Sequence, residues 1–299
     1  MGCTLHYTDN GFIFMRRDDD CEAVVDEMLA TNYNEEFCAA RDWNPAFIAR
    51  LMKAGFFVMS EWVRSQGWDG NPYDWEIVLP KLHLSRSILF FGNLHVKRSV
   101  RRFLSRYELR FDTDFETIVN KCIYIHGDWW LTPSLVRAIF SIREKAATLN
   151  RNTATDGGVT TALGGVFPQE KLQHNQMAGM PFGCDGAIRW YREYSPAKPG
   201  FEHLTPLPYP RPVSFGLYRG DELVAGDFGV ICGRVYSSYS GYKEENNAGT
   251  VQLILMMRAL EDAGFDFFDF GMPMEYKTDL GATDLAPEDF VRIWREAQA

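Results

Sequence analysis

Between Lys97 and Arg110 the chain carries six cations, Lys97, Arg98, Arg101, Arg102, Arg106 and Arg110, against one acid, Glu108. At helical steps of roughly 100° per residue, Lys97, Arg98, Arg101 and Arg102 share one side. A stripe of nearly unopposed cations is an electrostatic footprint for a phosphate backbone. A solvated face is the alternative for any charge run, but the scarcity of opposing acids favours nucleic acid. Cys122 and His126 stand one helical turn apart, a ligand-like spacing. Two ligands do not make a zinc site, so a structural role is expected and no metal. The remaining cysteines, Cys3, Cys21, Cys38, Cys184 and Cys232, are scattered without a Cys-x-x-Cys pair. They read as reduced thiols in a cytoplasmic protein.

The whole chain is acidic, with 31 Lys and Arg against 40 Asp and Glu in 299 residues. The basic stretch is therefore local, and a globally basic nucleic-acid coat is excluded. Apolar residues make up 46%, enough to bury a large core without disulfide or metal staples. No apolar run reaches membrane-spanning length, the start of the chain lacks a signal-peptide pattern, and His6 breaks the myristoylation pattern, so no membrane association is expected. Nothing demands an oligomer, and a monomer is expected.

The elements that must position the basic stretch follow from local signals. Residues 16–36 hold eight acids and read as a solvated segment with a short helix at 21–30. Asn44 and Pro45 open a helix that Gly55 stops. Residues 75–84 and 88–91 read as strands, and 97–107, 115–122 and 133–142 as helices, Asp114 capping the second. Prolines and Thr/Gly-rich runs between 148 and 212 read as a loop or insertion, with a short ordered piece near 188–194. From 213 onward, strands at 213–218, 223–230 and 233–238 precede a helix at 249–263, a buried strand at 265–270 and a final helix at 286–298. The class is α+β with a mixed sheet. The hexapeptides Leu82–Ser87 and Leu94–Ser99 echo one another but are too short and too few for a repeat fold.

Leu94-His-Val-Lys-Arg-Ser99 with its basic stretch, Trp130-Leu-Thr-Pro133, Glu222-Leu-Val-Ala-Gly226, Asn247-Ala248, Asp269 and Leu280-Gly-Ala282 together resemble the leucyl/phenylalanyl-tRNA–protein transferases. The stretch from Asp42 to Phe56 resembles the N-terminal part of that family. The similarity covers most of residues 40–295 outside the insertion, and its order and spacing are more specific than any one motif. Composition sets off an acidic segment over 1–38, and the resemblance implies a small N-terminal domain over 39–112 and a C-terminal acetyltransferase-like (GNAT-type) domain over 113–299 interrupted at about 143–212. It implies transfer of an amino acid from aminoacyl-tRNA to the α-amino group of a protein N-terminus, creating a degradation signal, with no cofactor. The donor ester is already activated, so the protein must position a neutral amine, move one proton and stabilise an oxyanion.

Carried over residue by residue, the resemblance assigns Asp269 as the catalytic aspartate and Trp130 as the platform for the terminal adenosine. It assigns Lys97, Arg98, Arg101, Arg102 and Arg106 to the tRNA. The family's Asp-x-Gln reads Asp269-Phe270-Gly271 here, and its Gly-Glu-Ser reads Ser238-Tyr239-Ser240. Tyr239, Tyr276 and Ser240 are candidate replacement hydroxyls. The donor side-chain pocket maps to Asp227, Tyr236, Gly241 and Met256, with Gly271 beside them. A carboxylate in an apolar pocket asks for a cation, and an arginyl side chain supplies one with bidentate geometry. Arginine is therefore the expected donor. Leucine or phenylalanine is the alternative, as is an Asp227 turned to solvent or paired with Arg234. Two rivals remain at this stage. One is a non-catalytic aminoacyl-tRNA binder. The other is a coenzyme-A acyltransferase, against which stands the missing glycine spacing in 243–250.

Overall fold

Short hydrophobic stretches in the N-terminal part pair into a four-stranded sheet. Its strands are β1 (Ile13–Met15), β2 (Cys38–Ala40), β3 (Phe57–Gln66) and β4 (Pro72–Lys81), in the order β1-β2-β4-β3. β1 and β2 run parallel, and the other pairs are antiparallel. Helix α1 (Cys21–Ala30) links β1 to β2, with the Asp20 carboxylate accepting the Glu22 and Ala23 N–H groups. Helix α2 (Pro45–Lys53) begins as its residues dictate: the Asn44 side chain accepts the Ala46 N–H at 2.9 Å, and Pro45 takes the first position. Gly55, at φ +100°, turns the chain out of it; a Cβ there would come within 3.3 Å of the Trp294 ring. The computed structural model describes residues 5–67, 71–155 and 201–299.

The larger sheet has seven strands in the order β11-β5-β10-β9-β8-β7-β6. They are β5 (Arg86–Phe90), β6 (Glu108–Phe111), β7 (Leu207–Arg219), β8 (Glu222–Gly233), β9 (Val235–Lys243), β10 (Phe267–Gly271) and β11 (Thr283–Leu285). All neighbours are antiparallel except β9 and β10, which are parallel. A parallel pair needs a crossover, supplied by the helix Ala248–Asp262. Before it in the chain come α3 (Arg98–Arg101), α4 (Phe115–His126) and α5 (Pro133–Thr155), so the crossover is α6; α7 (Glu275–Asp279) and α8 (Pro287–Gln298) follow. One face of the sheet packs with α4, α5, α8 and the N-terminal elements. Phe115, Ile118, Leu135, Ile139, Phe228, Val230, Phe267 and Trp294 belong to that layer. The other face packs on α6 through Phe215, Ile231, Tyr236, Phe268, Ile254 and Met257. The class is α+β with two mixed sheets.

Several expectations are corrected. The described part of the expected acidic segment, residues 5–38, is not a solvated tail: Ile13, Met15, Val24, Val25 and Met28 are buried in the main core, and the acids line the outside of the same elements. Nor does the chain divide at residue 112, because β5 and β6 from the expected N-terminal domain pair inside the seven-stranded sheet. The helix expected over 97–107 is only the single turn of α3, followed by a 3-10 turn at Leu104–Arg106. Arginines three and four apart repel along a helix, and the segment is held instead by burying Val96, Val100 and Leu104. The expected insertion is ordered at both ends. α5 continues to Thr155, and β7 begins at Leu207. The N-terminal half of β7 pairs with β8, while β6 pairs only with Phe215–Tyr218, so Pro208, Pro210 and Pro212 occupy edge positions where a missing N–H is tolerated. The short ordered piece expected near 188–194 lies outside the described residues.

Candidate functional site: a carboxylate beneath a splayed parallel pair

The parallel pair separates early. β9 and β10 are in register only over Val235–Ser237 and Phe267–Asp269, while β9 runs on to Lys243 paired with β8. Residues 238–243 therefore lack a neighbour on the β10 side among the described strands, and a cleft opens between them and the segment after Gly271. Ser238, Tyr239 and Ser240 are half-buried there and Gly241 is exposed. His126, at the end of α4, hydrogen-bonds the Gly241 carbonyl through Nε2 at 2.9 Å and fixes that lip. Met272, Met274 and Tyr276 are exposed on the opposite lip.

Asp227 is the one charged residue in the interior of β8, and it is buried. The Tyr236 hydroxyl donates to Oδ1 at 2.5 Å and the Ser238 hydroxyl to Oδ2 at 2.7 Å. Tyr236 reaches it by lying across Gly229, where a Cβ would come within 2.8 Å of the ring. Gly241 leaves the approach open, since a Cβ there would stand 2.9 Å from Oδ2. Two of the four lone-pair sites of the carboxylate are filled, and no cation pairs with it among the described residues. Burial pushes its pKa up to about 7, with the two hydroxyls and the Lys277 charge pulling partway back. Arg234 is engaged elsewhere, on Asp266 at 2.9 Å and the Glu296 carbonyl at 2.8 Å. The solvent-facing and Arg234-paired alternatives for Asp227 are thereby set aside.

A raised carboxyl pKa has a definite sign for stability. Between about pH 4 and pH 7 the folded state holds a proton that the unfolded state releases, so stability falls as pH rises through that window. The expected cost above pH 7 is on the order of 4 kcal/mol. Urea unfolding should therefore show Asp227→Asn matching the wild type near pH 4 and exceeding it at pH 8. An unchanged difference across that range would contradict the burial argument.

Asp269 points to the other face of the sheet, by strand alternation from Phe268 and Tyr236. It is fully buried in a bidentate pair with Arg86: Nε to Oδ1 at 2.9 Å and Nη2 to Oδ2 at 2.6 Å. The Ser237 hydroxyl donates to Oδ2 at 2.6 Å and the Gly271 N–H to Oδ1 at 3.0 Å. Burial is the largest influence and pushes the carboxyl up, but the Arg86 charge and these hydrogen bonds together outweigh it and hold it below the ordinary range. All four lone-pair sites are occupied. In this arrangement Asp269 has nothing left to offer a substrate amine; it anchors β5, β9 and β10 to one another. Arg86 Nη1 continues to the Gly55 carbonyl at 3.0 Å and its guanidinium lies 4.2 Å over the Phe290 ring.

The other expected residues divide. Tyr239 belongs to the Asp269 face, its hydroxyl accepting the Val58 N–H at 3.4 Å and its ring 4.4 Å from Phe57. Tyr276 is half-exposed on the lip. Met256 is fully buried on α6, in the apolar layer that Tyr236 joins. Gly271, at φ +71°, faces Phe57 and His83 rather than Asp227. Lys97, Arg98, Arg101, Arg102 and Arg106 are all exposed on one surface segment. Phe103 lies between the guanidinium groups of Arg102 and Arg106 at 4.9 and 4.8 Å. The segment is tied to the cleft: the His95 N–H donates to the Leu280 carbonyl at 2.8 Å and Lys97 pairs with Asp279 at 2.5 Å. Gly281 permits this contact, since a Cβ there would stand 2.0 Å from the Asn93 carbonyl oxygen.

Trp130 is a correction. It is buried in the main core, and its carbonyl accepts both the N–H and the hydroxyl of Ser60 at 3.0 Å. Its neighbour Trp129 is 62% exposed, with Nε1 donating to the His126 carbonyl at 3.0 Å, beside the Gly241 lip. Trp130→Ala should cost about 3–5 kcal/mol of stability by emptying the core. Trp129→Ala should leave the melting temperature unchanged and weaken binding of an aminoacyl-adenosine. A calorimetric scan with a binding titration on both variants checks this; the reverse pattern would restore Trp130 as the platform. Cys122 is buried, and among the described residues no group of three His, Cys, Asp or Glu is placed to hold a metal.

The site thus belongs to an α+β protein whose central parallel strands part over a buried carboxylate, next to a basic surface. Comparison with known proteins adds the family. The family model described as leucyl/phenylalanyl-tRNA protein transferase matches residues 209–295, from β7 through most of α8. Leucyl/phenylalanyl-tRNA–protein transferases of Pseudomonas putida and Campylobacter lari are 22% and 19% identical to this chain. The first alignment covers 86% of this chain and 82% of that protein, the second 89% and 92%. One from Pseudomonas aeruginosa is 24% identical over 263 residues. The chain is similar to members of this family, which are named as aminoacyltransferases. A solved C-terminal DUF2156 domain from Agrobacterium fabrum aligns with 99% of this chain and 76% of its own at 10% identity and a TM-score of 0.31, too low to carry an argument.

Sequence reasoning missed Arg86, Ser237, Lys277 and Trp129, and read His126 only as the ligand-spaced partner of Cys122. Arg86 lies in the Leu82–Ser87 echo, and that repetition was the only signal in the chain pointing to it. The others carry none, because their roles arise from strand pairing and from which of two adjacent tryptophans faces out.

Proposed function

We propose that this protein transfers an amino acid from aminoacyl-tRNA to the α-amine of a protein N-terminus, and that the donor amino acid is cationic, arginine in the first place. The observation that carries the donor assignment is Asp227: a buried carboxylate with two hydroxyl donors from the chain, two open lone-pair sites and no cation paired with it among the described residues. A guanidinium fills two parallel acceptor sites with a planar fork. Leucine or phenylalanine would leave those two sites empty and gain nothing from the carboxylate.

The rest of the reaction follows from the same placement. Arg98, Arg101, Arg102 and Arg106 would hold the acceptor stem by charge. The contacts at Lys97 and His95 keep that surface next to the cleft, where the ester carbonyl would lie. Trp129, beside the Gly241 lip, would take the terminal adenosine by stacking. Positioning the amine against an already activated ester then supplies much of the rate. In this reading the splayed pair is an acetyltransferase-like (GNAT-type) feature, and the added residue would mark its carrier for degradation.

A second reading, a binder of aminoacyl-tRNA that transfers nothing, draws on Gly271 in place of the family glutamine and on the saturated Asp269. One experiment separates them. Purified protein is mixed with labelled Arg-tRNA and peptides beginning Asp, Glu, Lys, Arg or Ala, and the peptides are read by mass. Label on a peptide N-terminus supports the transferase; binding of the charged tRNA with every peptide unchanged supports the binder.

A further inference from the structure

Among the described residues, Lys277 is the one lysine that is buried, and it is 4% exposed. It sits on α7 immediately behind the end of β10. Its Nζ donates to the Phe270 carbonyl at 2.8 Å and to the Met272 carbonyl at 2.6 Å. No third acceptor lies within hydrogen-bonding distance among the described residues. An ammonium has three N–H groups to satisfy, whereas a neutral amine has two N–H groups and one lone pair. The two carbonyls hold two N–H groups of the ammonium, and once it loses its third proton they satisfy both N–H groups of the neutral amine and leave its lone pair open. Nζ is itself buried, but its acceptor residue Met272 and the neighbouring Met274 and Tyr276 are exposed, so the amine lies one carbonyl behind the cleft lip.

We propose that Lys277 is the proton acceptor of the transfer, an inference that rests on the transferase reading above. The α-amine nitrogen attacks the ester carbonyl carbon and forms the new C–N bond. The proton it sheds passes to the Nζ lone pair. The C–O bond to the ribose then breaks, and the Lys277 ammonium returns that proton to the departing ribose oxygen. The lysine ends as it began, and no further reactant is needed. The role falls to Lys277 because Asp269 has no free lone pair and the Tyr239 hydroxyl is engaged by Val58.

The charged surroundings suit that cycle. Burial is the main influence and lowers the Lys277 pKa to about 8, while Asp269 on β10, Asp284 on β11 and Asp227 on β8 raise it in part. His83, in the β4–β5 connection, feels the Lys277 charge but is itself held neutral, chiefly by burial and then by Arg86 and Lys81. A proton acceptor is most effective with a pKa near the working pH.

The test compares the wild type with Lys277→Arg and Lys277→Met in the peptide-transfer assay from pH 6 to pH 9. Arginine keeps donors for both carbonyls and the positive charge but cannot accept a proton. The acceptor peptide's own amine titrates identically with every protein and cancels in the ratio of rates. If Lys277 accepts the proton, both variants lose about 10²–10⁴-fold in kcat, and the wild-type-to-Arg ratio climbs with pH before levelling. If Lys277 merely braces the two carbonyls, Lys277→Arg recovers the rate or the ratio is flat with pH, and the proposal is overturned. Should Lys277→Arg fail to fold, the wild-type-to-Met ratio is read against pH instead, climbing if Lys277 accepts the proton and flat if it only braces the carbonyls. Failure of the wild type to transfer from any donor would sink the transferase reading itself, and with it this one.

Discussion

Asp227→Asn is expected to cut arginine transfer by two to three orders of magnitude without harming the fold. A charged hydrogen-bonded pair, once buried, is worth about 2–5 kcal/mol against truncation of one partner, and each 1.4 kcal/mol is a factor of ten. The amide keeps the volume and one acceptor oxygen. Of its two hydroxyl partners, Tyr236 can still donate to that oxygen, and Ser238 can rotate to accept from the new NH2. The loss should therefore appear in donor recognition with no fall in melting temperature, and with a gain above pH 7 where the wild-type carboxylate is buried as an anion. Asp227→Met goes further, by giving the pocket an apolar floor and shifting preference toward leucyl- or phenylalanyl-tRNA. Steady-state transfer with each charged tRNA measures both effects. Unchanged arginine transfer by Asp227→Asn would mean that the side chain of the donor lies elsewhere.

The second large effect concerns the Arg86–Asp269 pair. Removing one partner leaves the other charge buried and alone, which costs about 3–5 kcal/mol. In a chain this long, that corresponds to a fall of roughly 10 °C in melting temperature. Arg86→Met and Asp269→Asn should each show it, and the double variant should recover part of it, because removing both charges removes two desolvation costs at once. The lowered Asp269 pKa fixes the pH dependence. The pair stabilises above the unfolded carboxyl pKa near 4, and that contribution is lost as the pH falls through the lower folded value. Wild type and Asp269→Asn should thus converge in strong acid. A stable Asp269→Asn with no transfer activity would instead return Asp269 to the chemistry.

These two carboxylates show how far the chain could be read from its residues. Local rules place α2 between Asn44–Pro45 and Gly55, and α6 before Gly264, because caps and stops act over a few residues. The strands from 213 onward are legible for the same reason. The short β1 and β2 are hidden in acidic sequence, since two or three inward-facing apolar residues leave little periodic signal. The basic stretch is visible as charge and misleading as a helix, because its repulsion works against the period that its spacing suggests. Asp227 stands out in an apolar strand. Asp269 does not reveal that Arg86, 183 positions earlier, will saturate it. That information belongs to the pairing of β5 with β10, and strand pairing at such a distance has no local signature. The same holds for Lys277, whose two carbonyl partners exist only once β10 has ended and the chain has turned.

The central claim is that the buried carboxylate beneath the splayed strands selects a cationic donor. It is tested most directly by competition. The purified protein receives equal amounts of Arg-, Leu- and Phe-tRNA with one peptide beginning Asp and one beginning Lys, and the products are identified by mass. The account predicts arginine on the peptide N-terminus in large excess over leucine and phenylalanine, with the excess abolished by Asp227→Asn. Leucine or phenylalanine as the main product, insensitive to Asp227→Asn, would contradict it.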